Sequence, residues 1–141
     1  MSTKVYFMTV MGVIGAFIGK MFGGLDSAMI TLFIFMIIDY VTGVCVAAFF
    51  HKSTKSESGS LQSVAGFKGL CKKGAVLLCV LVAYRLDVTI GSDYIRDSVV
   101  VAFCCNEGLS IIENVGLMGV PIPDVIKKAI EVLRGKDDKD A

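Results

Sequence analysis

Apolar residues in this chain come in blocks of membrane-spanning length. They run from Val5 to about Phe22, from Ser27 to Phe50, from Gly74 to about Ile90, and from about Ile95 to Val120. A helix over the second block would be about 36 Å long, enough to cross a hydrocarbon core of about 30 Å. The fourth block stops at Pro121, where "PIP" breaks the helix. Between the second and third lies a Ser-rich polar segment, His51 to Lys73. In it Leu61, Val64, Phe67 and Leu70 recur every third residue, a weaker sign of an interfacial helix. After Pro123, Val125, Ile126, Ala129, Ile130 and Leu133 share one helical face, and Lys127, Lys128, Glu131 and Arg134 occupy the rest. Gly135 can end that helix before the charged tail. The pattern predicts an all-α membrane protein. About four transmembrane helices fill residues 1–120 (spans about 5–22, 27–50, 74–90 and 95–120), and a short C-terminal amphipathic surface helix with a charged tail fills residues 121–141.

Composition supports that reading. The chain is 55% hydrophobic and 19% charged, with a mean hydropathy of +0.73, too few polar groups to cover a soluble domain of 141 residues. A net charge of +1 gives no reason to expect nucleic acid as a partner. The placement of the cations sets a direction. Lys4 precedes the first span; Lys52, Lys55, Lys68, Lys72 and Lys73 separate the second and third; Lys127, Lys128, Arg134, Lys136 and Lys139 follow the fourth. With four spans all of these fall on one side, leaving Lys20, Arg85 and Arg96 toward the other. The positive-inside rule then puts both termini in the cytoplasm, with Lys68, Lys72, Lys73, Lys127 and Lys128 as basic residues at the membrane surface. The first block reads as a retained span with Lys20 snorkelling, since no cleavage region separates it from the second. Met8 and Met11 lie just beyond Lys4, so an internal start would remove that charge.

The chemistry is sparse. Cys45, Cys71, Cys79, Cys104 and Cys105 show neither a disulfide framework nor a metal-ligand spacing, and read as small hydrophobes. No serine–histidine pair, metal cluster or phosphate loop is legible, so no enzyme, metal or cofactor is expected. What stands out is polarity inside the spans. Asp39 sits in the middle of the second. In the fourth, Asn106, Glu107, Ser110, Glu113 and Asn114 fall within an arc of about 120° at 100° per residue. Such residues cannot face lipid. They either glue helices together or line a water-filled path. Asp39 and Glu107 lie at similar depth, so as neighbours they could share a proton. Gly12, Gly15, Gly19 and Gly23 in or after the first span, and Gly43 one turn after Asp39, permit close helix packing.

Three stretches, "IDYVTGV", "GFKGLCKK" and "NEGLSIIENVGLMGVPIP", resemble the holins of phage lysis and toxin secretion in Gram-positive bacteria, including holin-like proteins of clostridial toxin loci. The resemblance runs from Phe35 to Leu133, and its last motif is the specific one. It carries over onto Asp39, Thr42 and Gly43; Gly66, Lys68, Gly69, Lys72 and Lys73; and Glu107, Ser110, Glu113, Asn114, Gly119, Pro121 and Pro123. The Ser-rich stretch from Ser53 to Ser60 and the first span are less typical. The resemblance implies a multi-pass protein of the bacterial cytoplasmic membrane that homo-oligomerises in the lipid bilayer into a lesion. Endolysin or a large toxin would be its cargo, without necessarily binding it. The rival readings are a small ion- or proton-coupled channel or transporter, in which Asp39 and Glu107 bind the ion, and an accessory subunit of a membrane complex.

Overall fold

The computed structural model describes residues 2–140, with side chains from Ser2 to Gly135. Five α-helices follow one another: α1 (Thr3–Met21), α2 (Ser27–Cys45), α3 (Ser63–Ile90), α4 (Ile95–Leu117) and α5 (Asp124–Asp140). There is no strand among the described residues. α2 runs on into a widened π-helical turn, Val46–Phe50, and the chain leaves it through His51 in the left-handed region (φ 52°). α4 is the central helix. It packs beside α2 and antiparallel to α3, and α5 folds back along it.

Among the described residues, three helices are long and apolar enough to cross a membrane: Thr3–Met21, Ser27–Phe50 and Ile95–Leu117. The sequence reading expected about four. α3 is the exception because every eighteen-residue stretch of it carries three or more charged residues, among Lys68, Lys72, Lys73, Arg85 and Asp87. It also begins eleven residues before the predicted third span. The suspected interfacial segment and that span are one continuous helix, because Gly66, Gly69 and Gly74 do not interrupt it. Gly66 and Gly69 instead make room for α2: a Cβ on them would stand 3.5 Å from the Tyr40 hydroxyl and 3.9 Å from its ring, respectively.

The dry core lies toward one end of the bundle. Met29, Leu32 and Met36 of α2 recur every three or four residues and meet Val80 of α3 and Val100 and Cys104 of α4. In water each such side chain would contribute about 1.5–3 kcal/mol by burial, but lipid removes most of that drive. Interhelical polar contacts therefore decide which helix sits where.

One set of these contacts closes the end where the α1–α2 and α3–α4 turns meet. The Arg96 guanidinium donates to Asp26 (2.6 and 3.1 Å), to Asp97 (2.9 Å) and to the carbonyls of Phe22 and Gly24 (both 3.0 Å). Asp26 also caps α2, accepting from the Met29 amide at 3.0 Å. Asp87 of α3 accepts from Ser92 and from the Ile95 and Arg96 amides, so it caps α4 from the neighbouring helix. Gly23 has φ +81°, and a Cβ there would stand 2.7 Å from the Tyr84 ring, which makes the turn a glycine position twice over.

Among the described residues, α1 is held chiefly through this turn. Among its residues Gly19 alone is buried, against Leu25, while Tyr6, Phe7, Met8, Val13 and Phe17 are each more than 60% exposed. A Cβ at Gly12 or Gly15 would meet nothing within 4 Å among the described residues. Arg96 holds the Asp26 carboxyl below its ordinary value of 3.8. A depressed carboxylate contributes stability that is present above its unfolded pKa and is lost as pH falls through the folded one. Acid below about pH 4 at this end should therefore loosen the α1–α2 turn, which neutral pH leaves shut. Fluorescence of a probe on the turn, followed through an acid titration, checks this; Asp26→Asn should flatten the transition.

The C-terminal helix differs from the surface helix expected. It is continuous through Gly135 as far as Asp140, and it returns along α4 with Ile130 buried. Gly108 allows this approach: a Cβ there would stand 3.2 Å from Ile130 and 3.5 Å from Phe35. Val125, Ile126 and Val132 remain exposed. The side chains of the charged tail from Lys136 onward lie outside those described.

Candidate functional site

α2 and α4 run in the same direction, and the antiparallel α3 approaches both from the opposite end. Glu107 lies about ten residues, or about 15 Å, before the end of α4, and Lys73 the same distance after the start of α3. The two therefore meet at one level, and Asp39 is at that level on α2. The Lys73 ammonium donates to Asp39 Oδ2 at 2.7 Å and to Glu107 Oε2 at 2.6 Å. All three side chains are largely enclosed, at 14%, 6% and 12% exposure for Lys73, Asp39 and Glu107.

The other side of Asp39 is also fixed. The Asn114 amide nitrogen donates to Asp39 Oδ1 (3.1 Å), the Asp39 carbonyl (3.2 Å) and Thr42 Oγ1 (3.0 Å). Thr42 in turn donates to the Ile38 and Asp39 carbonyls. Gly43 leaves room for Asn114, whose amide would stand 3.6 Å from a Cβ at that position. Asp39, Lys73, Glu107, Asn114 and Thr42 thus form one continuous polar knot among three helices. A charge at such a position costs several kcal/mol if left alone. One cation between two carboxylates lowers that cost without cancelling it, since the cluster carries a formal charge of −1.

The structure brings Asp39 and Glu107 to one site but interposes a lysine where a shared proton had been suggested. Lys73 does not stand with Lys68 and Lys72, which remain exposed. Its apparent surface position came from lying at the edge of an apolar run. The cue that could have found it is the charge count: two carboxylates at one depth require a cation, and Lys73 is the lysine nearest that depth. The predicted polar arc of α4 divides. Glu107, Ser110 and Asn114 turn inward, whereas Asn106 and Glu113 are exposed. Lys127 and Lys128 are exposed on α5. The Arg96 cluster has no counterpart in the sequence reading, where Arg96 served only to assign topology.

Above the knot lies a cleft of about 500 Å³ between α2, the first turns of α3, and the Ser-rich loop that arches from Ser53 to Gln62. The loop is drawn in by short local bonds: the Ser53 amide donates to the Gly59 carbonyl at 3.0 Å, and Ser56 Oγ to the Ser60 carbonyl at 2.7 Å. Lys55 reaches back toward Gly43. No group of His, Cys, Asp and Glu among the described residues is arranged to hold a metal ion.

The chain is similar in sequence to known proteins. The family model of the bacteriophage holin family matches residues 16–135. The chain is 34% identical over 127 residues to an uncharacterized protein of Listeria monocytogenes, covering 89% of this chain and 85% of that one. It is 38% identical over 125 residues to an uncharacterized 14.9 kDa protein of Clostridium perfringens, covering 87% and 89%. A probable holin of Bacillus phage phi105 is 33% identical over 104 residues, covering 73% and 71%. No solved structure matches. With the family model spanning most of its length, the chain belongs to the bacteriophage holin family.

Proposed function

We propose that the chain is a holin that accumulates in the cytoplasmic membrane, oligomerises and opens a lesion large enough for an endolysin or a protein toxin. The observation that carries this reading is the Asp39–Lys73–Glu107 knot inside helices otherwise suited to lipid. Closed, the knot joins three helices and hides its charges, so a single copy can live in the bilayer. Opened, the same groups become the polar wall that water requires, and lipid would reject them. The balance is sensitive to voltage, since moving one charge through 100 mV changes its energy by about 2.3 kcal/mol. The exposed, unpartnered α1, with Gly12 and Gly15 open, supplies surface for contact between copies.

In this reading α3 is the fourth span. Lys73 is paired within the knot and Asp87 is bonded by the α4 amides, which leaves Arg85, near the far end of the helix, to snorkel to the membrane surface. Both termini and the Ser-rich loop are then cytoplasmic. Reporters fused after Ala141 and inserted near Ser58 should both read cytoplasmic, and an extracellular signal at either site would contradict four spans.

Co-expression with a cytoplasmic endolysin tests the function. Expression of the chain alone should collapse the membrane potential and stop growth, and adding the endolysin should give abrupt lysis. Two carboxylates around one ammonium could also serve as a cation site. That geometry favours a second reading, an ion channel, which predicts potential collapse without lysis.

A further inference from the structure

The cleft above the polar knot holds more positive charge than the knot can use. Lys55, Lys68, Lys72 and Lys73 line it, against Asp39 and Glu107. Lys73 is committed to both carboxylates. Lys55, Lys68 and Lys72 form no ion pair among the described residues, and all three are exposed at the mouth. Hydroxyl donors stand with them on the loop and on Tyr40. Three like charges around one cavity repel one another, an arrangement that a bound anion relieves.

The surroundings narrow the kind of anion. Leu61, at the end of the loop, is 53% exposed at the cleft, and Val44, Ala47 and Val76 line it with Leu61. They leave apolar surface beside the lysines, which suits a ligand with an anionic head and hydrocarbon tails. We infer that the cleft between α2, α3 and the Ser-rich loop binds the phosphate headgroup of an anionic phospholipid, held by Lys55, Lys68 and Lys72, with its acyl chains leaving past Leu61. Basic pockets at the ends of membrane helices attract such headgroups at about 1 kcal/mol per lysine. The inference requires only that the bundle sit in a membrane, and it stands whether or not the chain forms a lesion.

Native mass spectrometry of the full chain, released from detergent after equilibration with phosphatidylglycerol or phosphatidylcholine, tests it. The wild-type chain should retain phosphatidylglycerol in preference to phosphatidylcholine. The variant Lys55→Gln, Lys68→Gln, Lys72→Gln should lose that preference, about a hundredfold for three lysine contacts. A charge-matched control, Lys127→Gln, Lys128→Gln, Arg134→Gln on α5, should keep it, and circular dichroism of each variant should show an unchanged helix content. Inorganic phosphate should not displace the lipid. Equal retention of the two lipids, an equal loss in the α5 control, or displacement by inorganic phosphate would each overturn the inference. The first denies a site, the second reduces it to general surface charge, and the third makes it a site for a soluble anion.

Discussion

Lys73→Met should unfasten α3 from α2 and α4 at a cost of about 3–5 kcal/mol, the usual penalty for removing one member of a buried ion cluster. Methionine nearly matches the length of lysine, so packing changes little, but Asp39 and Glu107 are left facing each other without the ammonium that stood 2.7 and 2.6 Å from them. Thermal unfolding in detergent, together with proteolysis of the Ser-rich loop, should report the loss. The combined variant Lys73→Met, Asp39→Asn, Glu107→Gln should recover most of it, because no charge then remains unpaired. Function should separate from stability in that variant. If the knot were only a seam, a neutral and stable replacement would lyse on schedule. If its charges face water in the open assembly, the replacement should insert and oligomerise yet release no protein, and this second outcome is the one expected. Asp39→Asn alone keeps shape and hydrogen bonding and should also insert while losing protein release, with Glu107→Gln behaving alike. Normal timing in Asp39→Asn and Asp39→Leu together would show that Asp39 has no part in the opening.

Arg96→Met should have the second largest effect, and at the other end of the bundle. Arg96 is 6% exposed and joins α4 to two backbone carbonyls and to Asp26. Its acidic partners are half or more exposed, at 52% for Asp26 and 62% for Asp97, so solvent screens those pairs. The larger part of the loss comes from the carbonyls of Phe22 and Gly24 left without a donor. A total of about 2–3 kcal/mol is expected, the range for hydrogen bonds to a charged group. The structural consequence is specific: among the described residues α1 has no other substantial anchor, so it alone should come loose. Cross-linking between cysteines placed on the α1–α2 turn and the start of α4 should fall, whereas cross-linking between α2 and α4 near Cys104 should not. Arg96→Lys should restore the charge but not the fork that serves both carbonyls, and recover only part of the effect.

Much of the architecture could be read from the chain because membrane helices are long and their boundaries are chemically marked. The helix Ser27–Phe50 occupies the residues expected of the second span, since Asp26 caps its start and the basic His51-Lys52 pair closes it. α4 begins where expected and ends three residues early, at Leu117, ahead of Gly119 (φ +84°) and the prolines. α3 was harder. Glycines at 66, 69 and 74 resemble punctuation, and only the approach of Tyr40 explains why a helix keeps them. Its lysines raise a similar difficulty. Lys72 and Lys73 are adjacent at the foot of an apolar run, and nothing local says which of them turns inward. That choice depends on the rotation of α3 against two helices far away in sequence. Arg96 poses the same problem at greater range, with partners more than seventy residues distant. Depth along a helix is legible from position, whereas pairing across helices is a tertiary property.

The central claim is that the assembled chain opens a hole wide enough for folded protein. Purified chain should be reconstituted into vesicles that enclose both a small dye and a folded fluorescent protein, and release of the two followed together after a membrane potential is collapsed. The account predicts that both leave the same vesicles in one abrupt step. Escape of the dye with the folded protein fully retained would contradict it, and would make the Asp39–Lys73–Glu107 site part of an ion channel instead.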